Sequence, residues 1–307
     1  MNVYRENTDF NKPYFKIGAG IIILLIILAL LFGVSIWWLN QIPYLQGLWN
    51  NFSLDKKSVS SICEKSGFNS PVRQPINTFS SIIYFVVAGI VFKSKKIQQE
   101  NRDIFDSKVI KVHSFYVYIF GIILLYVFTA SSFYHASLTD IAHQIDYSAV
   151  FAFSLFPVMY FVQRKWLVGN YQFTALQIRN YSLRLSIVFF IIWLLLSVFT
   201  PKEMGSIVTF ILILSFYVFA LTIIIDKRAK PGTQYLLYSI ISIMVALICF
   251  EVDRFKIVCN PDSYFQAHAL WNIFIGVAGF YFYWYLQSDV NSFMVLINRN
   301  VLKVAES

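Results

Sequence analysis

Eight long apolar runs divide this chain, at about residues 17–39, 76–92, 114–134, 145–162, 185–199, 205–225, 233–250 and 265–286. A helix needs ~20 mostly apolar residues to cross a bilayer, and inside the hydrocarbon it must pair its own backbone polar groups. Most of the runs approach that length, with 185–199 the shortest. Turn and stop signals stand between them, among them Pro201-Lys202 and the segment DKRAKPG from Asp226 to Gly232. Charged residues make up only 13% of the chain, against roughly 25% in a soluble domain. The expected fold class is therefore all-α, a polytopic membrane protein.

A net charge of +9 does not point to nucleic acid. The Lys and Arg residues lie in short segments between apolar runs, where topology signals sit, and none alternates with aromatics on a soluble face. Over alternate connections, 18 of them fall on one side (the N-terminus, 93–111, 164–184, 227–230 and the C-terminus) and 7 on the other (40–75, Lys202 and 251–264). Both termini are expected in the cytoplasm, which agrees with an even number of spans. The membrane is the inner membrane in a bacterium, or that of the ER or Golgi in a eukaryote. The first run, IGAGIIILLIILALLFGVSIWWL, is too long for a signal-peptide core and has no small-residue cleavage site before Gln41, so it reads as a retained anchor. Residues 1–39 are expected to form a tail and anchor helix, 40–290 the membrane domain and 291–307 a cytoplasmic tail.

Four histidines are present. His113 and His135 lie at opposite ends of one run, ~33 Å apart along a helix, so His113 is assigned to the far interface. The segment ASSFYHASLTDIAHQIDYSAV, Ala130 to Val150, leaves the third run and enters the fourth without a Lys or Arg. Ser131 and His135 are i,i+4 neighbours on one face, and Asp146 stands just inside the next run, where an ionisable group needs a partner. QAHALWN, Gln266 to Asn272, opens the last run from the same side and sets His268 and Asn272 one turn apart. Ser131, His135, Asp146, His268 and Asn272 are thus expected at one membrane depth. Imidazole, carboxylate and hydroxyl together suit a metal-bound water. The competing reading is a set of hydrogen bonds between helices. His143 is read as a loop or helix-start residue facing water, and Asn77 and Thr78 as a helix cap. Glu251 and Asp253 are read as interfacial anchors, and Trp271 as part of an aromatic belt. Cys249 falls in a run and reads as a core residue. Cys63 and Cys259 both fall in connections on the outer side, where an oxidising medium permits either a disulfide or two separate thiols.

Taken in order, these motifs resemble those of the alkaline ceramidase family, in a wider superfamily of seven-span hydrolases and receptors. The resemblance rests on S-x-x-x-H with Asp eleven residues after the His, and on the late H-A-x-W. It also rests on the Cys63-Glu64 element, on Asn77-Thr78-x-Ser, and on Glu251 to Arg254 followed by Cys259. It covers about residues 60–290 and implies a seven-helix core, preceded here by one extra helix. It implies a zinc ion held by His135, His268 and position 272, with Asp146 orienting the attacking water and accepting its proton, and with Ser131 helping to stabilise the oxyanion. The implied substrate is a membrane lipid, ceramide or another N-acyl amide. A disulfide between Cys63 and Cys259 is implied as well. The pattern departs at Asn272, where a third histidine is expected, which weakens the zinc site and opens the alternative of a lipid sensor that does not cut. An esterase or phospholipase of the same superfamily is the nearer alternative. Of the family's calcium cluster only Glu64 matches, with Ser61, Ser66 and Gln74 in place of ligands, so no calcium is expected. No protein partner can be inferred.

Overall fold

The computed structural model describes residues 19–100, 107–169, 175–225 and 232–305. The N-terminal tail, parts of the lysine-rich 93–111 connection and most of DKRAKPG lie outside the described residues. The helices are α1 (Ala19–Leu39), α2 (Lys56–Ser61), α3 (Pro75–Ser80), α4 (Ile82–Glu100), α5 (Ser107–Ser137), α6 (Asp140–Gly169), α7 (Ala175–Phe199), α8 (Gly205–Ile225), α9 (Thr233–Arg254) and α10 (Ala267–Ala305). No strand occurs among the described residues, and one antiparallel bridge pairs Leu54 with Thr139.

Among the described residues, seven segments are long and apolar enough to cross a membrane: Pro75–Lys93, Phe115–Ser137, Asp140–Trp166, Asn180–Phe199, Lys202–Ile225, Thr233–Arg254 and Ala267–Asp289. They correspond to the seven later runs of the sequence. The fourth run begins earlier than its apolar pattern suggests, because Asp140 at the start of α6 is held by Lys202 at 2.5 Å. The first run forms α1, whose described apolar stretch, Ile26–Leu39, is shorter than a span. Residues 291–305, read from the sequence as a tail, continue α10 as helix.

The spans form a ring. α5 packs between α4 and α6, α6 also meets α7 and α8, and α10 lies along α9 and against α4. α8 touches α9 only sparsely. Close approach of α10 to α4 depends on Gly276, where a Cβ would stand 2.5 Å from Ile83 Cγ1. Phe120, Phe156, Phe161, Phe216 and Phe282 fill the centre of the ring; Phe120 stacks on Phe156, Phe161 stacks on Phe216, and Phe282 meets all four edge-on. The outward faces of α7 and α8 expose Phe190, Leu195, Ile211 and Leu214, surfaces suited to lipid tails.

At the end of the ring away from Cys63, Asp289 of α10 is fully buried and accepts hydrogen bonds from Arg164 Nε at 2.8 and 2.9 Å and from Tyr160 OH at 2.9 Å. An ion pair so deeply placed is expensive to break, because the surviving charge stays buried. Asp289→Ala is expected to destabilise the protein by about 3 kcal/mol, read as a lower thermal midpoint in detergent. The double variant Arg164→Met with Asp289→Leu should recover most of that loss.

Candidate functional site

The last carbonyls of α5 need donors from outside the helix. Segment 72–74 supplies them: Arg73 N donates to Ala136 O at 3.0 Å, Gln74 N to His135 O at 3.0 Å, and Arg73 Nη1 to Ser137 O at 2.7 Å. The chain then turns through Leu138 at φ 51°, buried against Ile62, Tyr134 and Ala142, and starts α6 two residues later. A left-handed leucine costs roughly 1–2 kcal/mol, offset here by burial and by the bonds to 72–74. The same segment leads into α3, whose first free N–H groups are capped by Glu64: Ile76 N donates to Oε1 at 2.7 Å and Asn77 N to Oε2 at 2.9 Å. The capping read for Asn77 and Thr78 therefore belongs to Glu64. Thr78 Oγ1 instead bonds back to Gln74 O at 2.7 Å. A disulfide joins Cys63 to Cys259, with Cα atoms 5.5 Å apart, and clamps this crown to the α9–α10 connection.

His135 and His268 meet edge to face, with ring centroids 4.8 Å apart. His135 is buried, and its Nδ1 bonds Gln74 Oε1 at 2.8 Å. His268 Nδ1 faces Asp253 Oδ2 at 3.7 Å, and the other oxygen of Asp253 accepts from Cys63 N at 3.3 Å. Asp253, read as an anchor, thus stands behind a site histidine. Ser131 lies one turn before His135, its hydroxyl 2.9 Å from Ser81 Oγ at the break between α3 and α4. Asn272 makes no hydrogen bond to either histidine among the described residues. Its Nδ2 donates to Ser80 Oγ at 2.9 Å, and its Oδ1 accepts from Tyr84 OH at 3.3 Å.

A cavity of about 770 Å³ opens beside these groups. Ser131, Asp146, His268 and Asn272 all line it, whereas His135 sits behind His268. Asp146 has no hydrogen-bonded partner among the described residues. Deeper along α6, α8, α9 and α10 the walls become apolar through Phe153, Phe210, Ile213, Ile243, Leu247 and Ile275, and Phe216 closes the far end. From Gly205 to Phe216 along α8 is ~16 Å, about half the thickness of a hydrocarbon core. The cavity thus has a polar mouth above an apolar shaft of that depth.

His143 departs from the sequence reading. It does not face water: it is buried, its Nδ1 lies 2.5 Å from Asp55 Oδ2, and it lines the same cavity. Sequence reasoning missed Asp55, Gln74 and Tyr84 as site residues, because each reaches the site only through tertiary contact. Spacing gave a hint only for His143, three residues before Asp146 on one helix face.

No protein-family model and no curated protein matches this chain. The donor set fits a metal in part. His135 Nδ1 bonds Gln74 Oε1, the arrangement that leaves Nε2 available as a ligand, whereas His268 Nδ1 stands 3.7 Å from Asp253 Oδ2, beyond hydrogen-bond distance. Asn272, spent on Ser80 and Tyr84, does not complete the set, and the described residues hold no group of three His, Cys, Asp or Glu side chains placed to bind an ion.

Burial pushes the Glu64 carboxyl up from 4.5 to about 7, helped by nearby Asp253 and opposed by the two N–H donors it caps. The folded chain therefore holds this proton more tightly than the unfolded chain does. That contribution to stability is full below about pH 4.5 and is lost as pH rises to about 7. Between about pH 5 and about pH 8 the wild-type melting point should fall more than that of Glu64→Gln, measured in the same detergent.

Proposed function

We propose that this chain is an intramembrane hydrolase that cleaves the amide bond of ceramide or a similar N-acyl lipid at the polar mouth of the cavity. One observation carries the reading: His135 and His268, from helices far apart in sequence, bring their ring centroids within 4.8 Å beside the cavity, and His135 Nδ1 is bonded to Gln74 Oε1. These two imidazoles would hold a zinc ion. When bound, zinc supplies Lewis-acid activation of water near neutral pH.

The remaining work falls to the chain itself. Asp146, facing the cavity without a hydrogen-bonded partner, takes the proton of the attacking water. Ser131, held by Ser81 at 2.9 Å, turns its O–H to the oxygen on which charge develops. The acyl chain lies in the apolar shaft, which fixes the carbonyl at the mouth and keeps bulk water from the chain. An ester presents the same carbonyl, so esterase or phospholipase action follows from the same arrangement. A lipid sensor without turnover is the second reading, and it too has its observation: the Asn272 amide is committed to Ser80 and Tyr84.

In this proposal α1 is an eighth span, both termini are cytoplasmic and the disulfide end faces outward, into the oxidising side that a disulfide requires. The asymmetry of 18 against 7 basic residues supports that orientation.

Metal analysis of the purified protein, alongside fatty-acid release from a fluorescent ceramide, tests the reading. Bound zinc and turnover are expected, with Asn272→His raising metal content. Absence of both in the wild type and in Asn272→His would leave the sensor. A green fluorescent protein fused to the C-terminus should fluoresce; a dark fusion would reverse the orientation.

A further inference from the structure

We infer that the shaft takes an acyl chain bearing a hydroxyl group well below its carbonyl, and that Ser154 and Thr209 recognise that hydroxyl. The inference rests on the reading that places the acyl chain in the shaft, and it deepens that reading by naming the kind of chain.

A hydroxyl inside a membrane helix commonly bonds back to a carbonyl of its own helix. Ser186, Ser197, Ser215 and Thr222 do so here, each donating to the carbonyl three or four residues earlier at 2.7 to 2.9 Å. Ser154 of α6 and Thr209 of α8 do not. They are 7% and 8% exposed, both line the cavity, and neither hydroxyl has a hydrogen-bonded partner among the described residues. The two helices pack against each other. Ser154 also has a second polar group beside it. Pro157, inside α6, has no N–H to give to the carbonyl of Phe153, and Phe153 and Pro157 both line the cavity. Two buried hydroxyls without partners, and a carbonyl deprived of its helical donor, are costly in apolar surroundings.

These groups stand too deep to serve the head of the lipid. Ser154 is two turns past Asp146 on α6, ~12 Å of helix. Thr209 is one turn, ~6 Å, past Gly205, which packs against the ring of Tyr147. Phe210, Ile213 and Phe216 make the shaft apolar at that depth. A plain acyl chain lying there displaces water and offers the polar groups nothing in return. A hydroxyl on the chain accepts from Ser154 or Thr209 and donates to the Phe153 carbonyl, whereas a keto group only accepts. A mid-chain alcohol is therefore the complementary group.

Ceramides of one sphingoid base test the inference on the purified full-length protein in detergent. One carries stearic acid; the others carry hydroxystearic acids with the hydroxyl at successive positions along the chain. Binding is read by displacement of a fluorescent fatty acid, and turnover by release of the free acid. The wild type is expected to bind the best hydroxylated ceramide about 10-fold more tightly than the plain one, with the preference confined to mid-chain positions. Ser154→Ala combined with Thr209→Val should bring that ratio close to unity. Equal affinity for all chains, a preference blind to hydroxyl position, or a ratio the double variant leaves unchanged overturns the inference. If the double variant fails to fold, the positional dependence of the wild type decides alone. Preference without turnover overturns the hydrolase reading and keeps the lipid site; turnover without preference overturns this inference alone. Failure to bind any of the lipids overturns both.

Discussion

Where α5 ends its last carbonyls have no partners within the helix, and Arg73 and Gln74 lie across that end to supply them. His135 owns one of those carbonyls, and the side chain of Gln74 holds its ring. One dipeptide thus sets both the backbone and the imidazole of the central histidine. Much of the disulfide end serves to keep that dipeptide where it is. Glu64 caps the helix that follows it, Asn40 at the end of α1 exchanges two hydrogen bonds with Val72, and the Cys63–Cys259 bond ties the approach to the α9–α10 connection. An unpaired polar group away from water costs several kcal/mol, so these bonds leave the crown little freedom to rearrange.

Against that well-satisfied background, the exceptions carry information. Among the described residues, the carboxyl of Asp146 faces the cavity without a hydrogen bond, and both side-chain atoms of Asn77 are buried without one in the same neighbourhood, where Asn77 O also accepts from Asn272. Ionisable groups inside a membrane bundle are expensive, and they mark functional positions more often than structural ones. Asn272 is the opposite case. It is fully engaged, and its partners Ser80 and Tyr84 lie on α3 and α4. It fastens α10 to its neighbours.

The other half of the ring is built to hold still. The phenylalanine cluster and the Arg164–Asp289 pair join α6 to α10 below the cavity, while α8 and α9 touch only sparsely beside it. The walls of the apolar shaft are thus firmly joined on one side and loosely on the other.

Much of the architecture was legible in the chain. The apolar runs located the spans, because the requirement for ~20 apolar residues per crossing is local and leaves its mark in consecutive positions. Helix periodicity likewise set Ser131 with His135, and His268 with Asn272, on single faces. Spacing also placed Ser131, Asp146, His268 and Asn272 at one end of the bundle, and the cavity collects all four. What spacing left open was the direction in which each side chain turns. His143, which looked like a loop residue, is drawn inward by Asp55, a residue from another segment of the chain. Gln74 and Asp253 became the supports of the two histidines through contacts that span 61 residues in one case and two neighbouring helices in the other. The sequence by itself determined where the seven long apolar helices of the described residues fall and which of their ends is polar, since hydropathy and helical period act along the chain. Only the tertiary structure decided that Gln74 holds Nδ1 of His135 and that Asn272 is spent as a fastener, since hydrogen bonds are settled by whatever donor or acceptor the packed helices bring within about 3 Å.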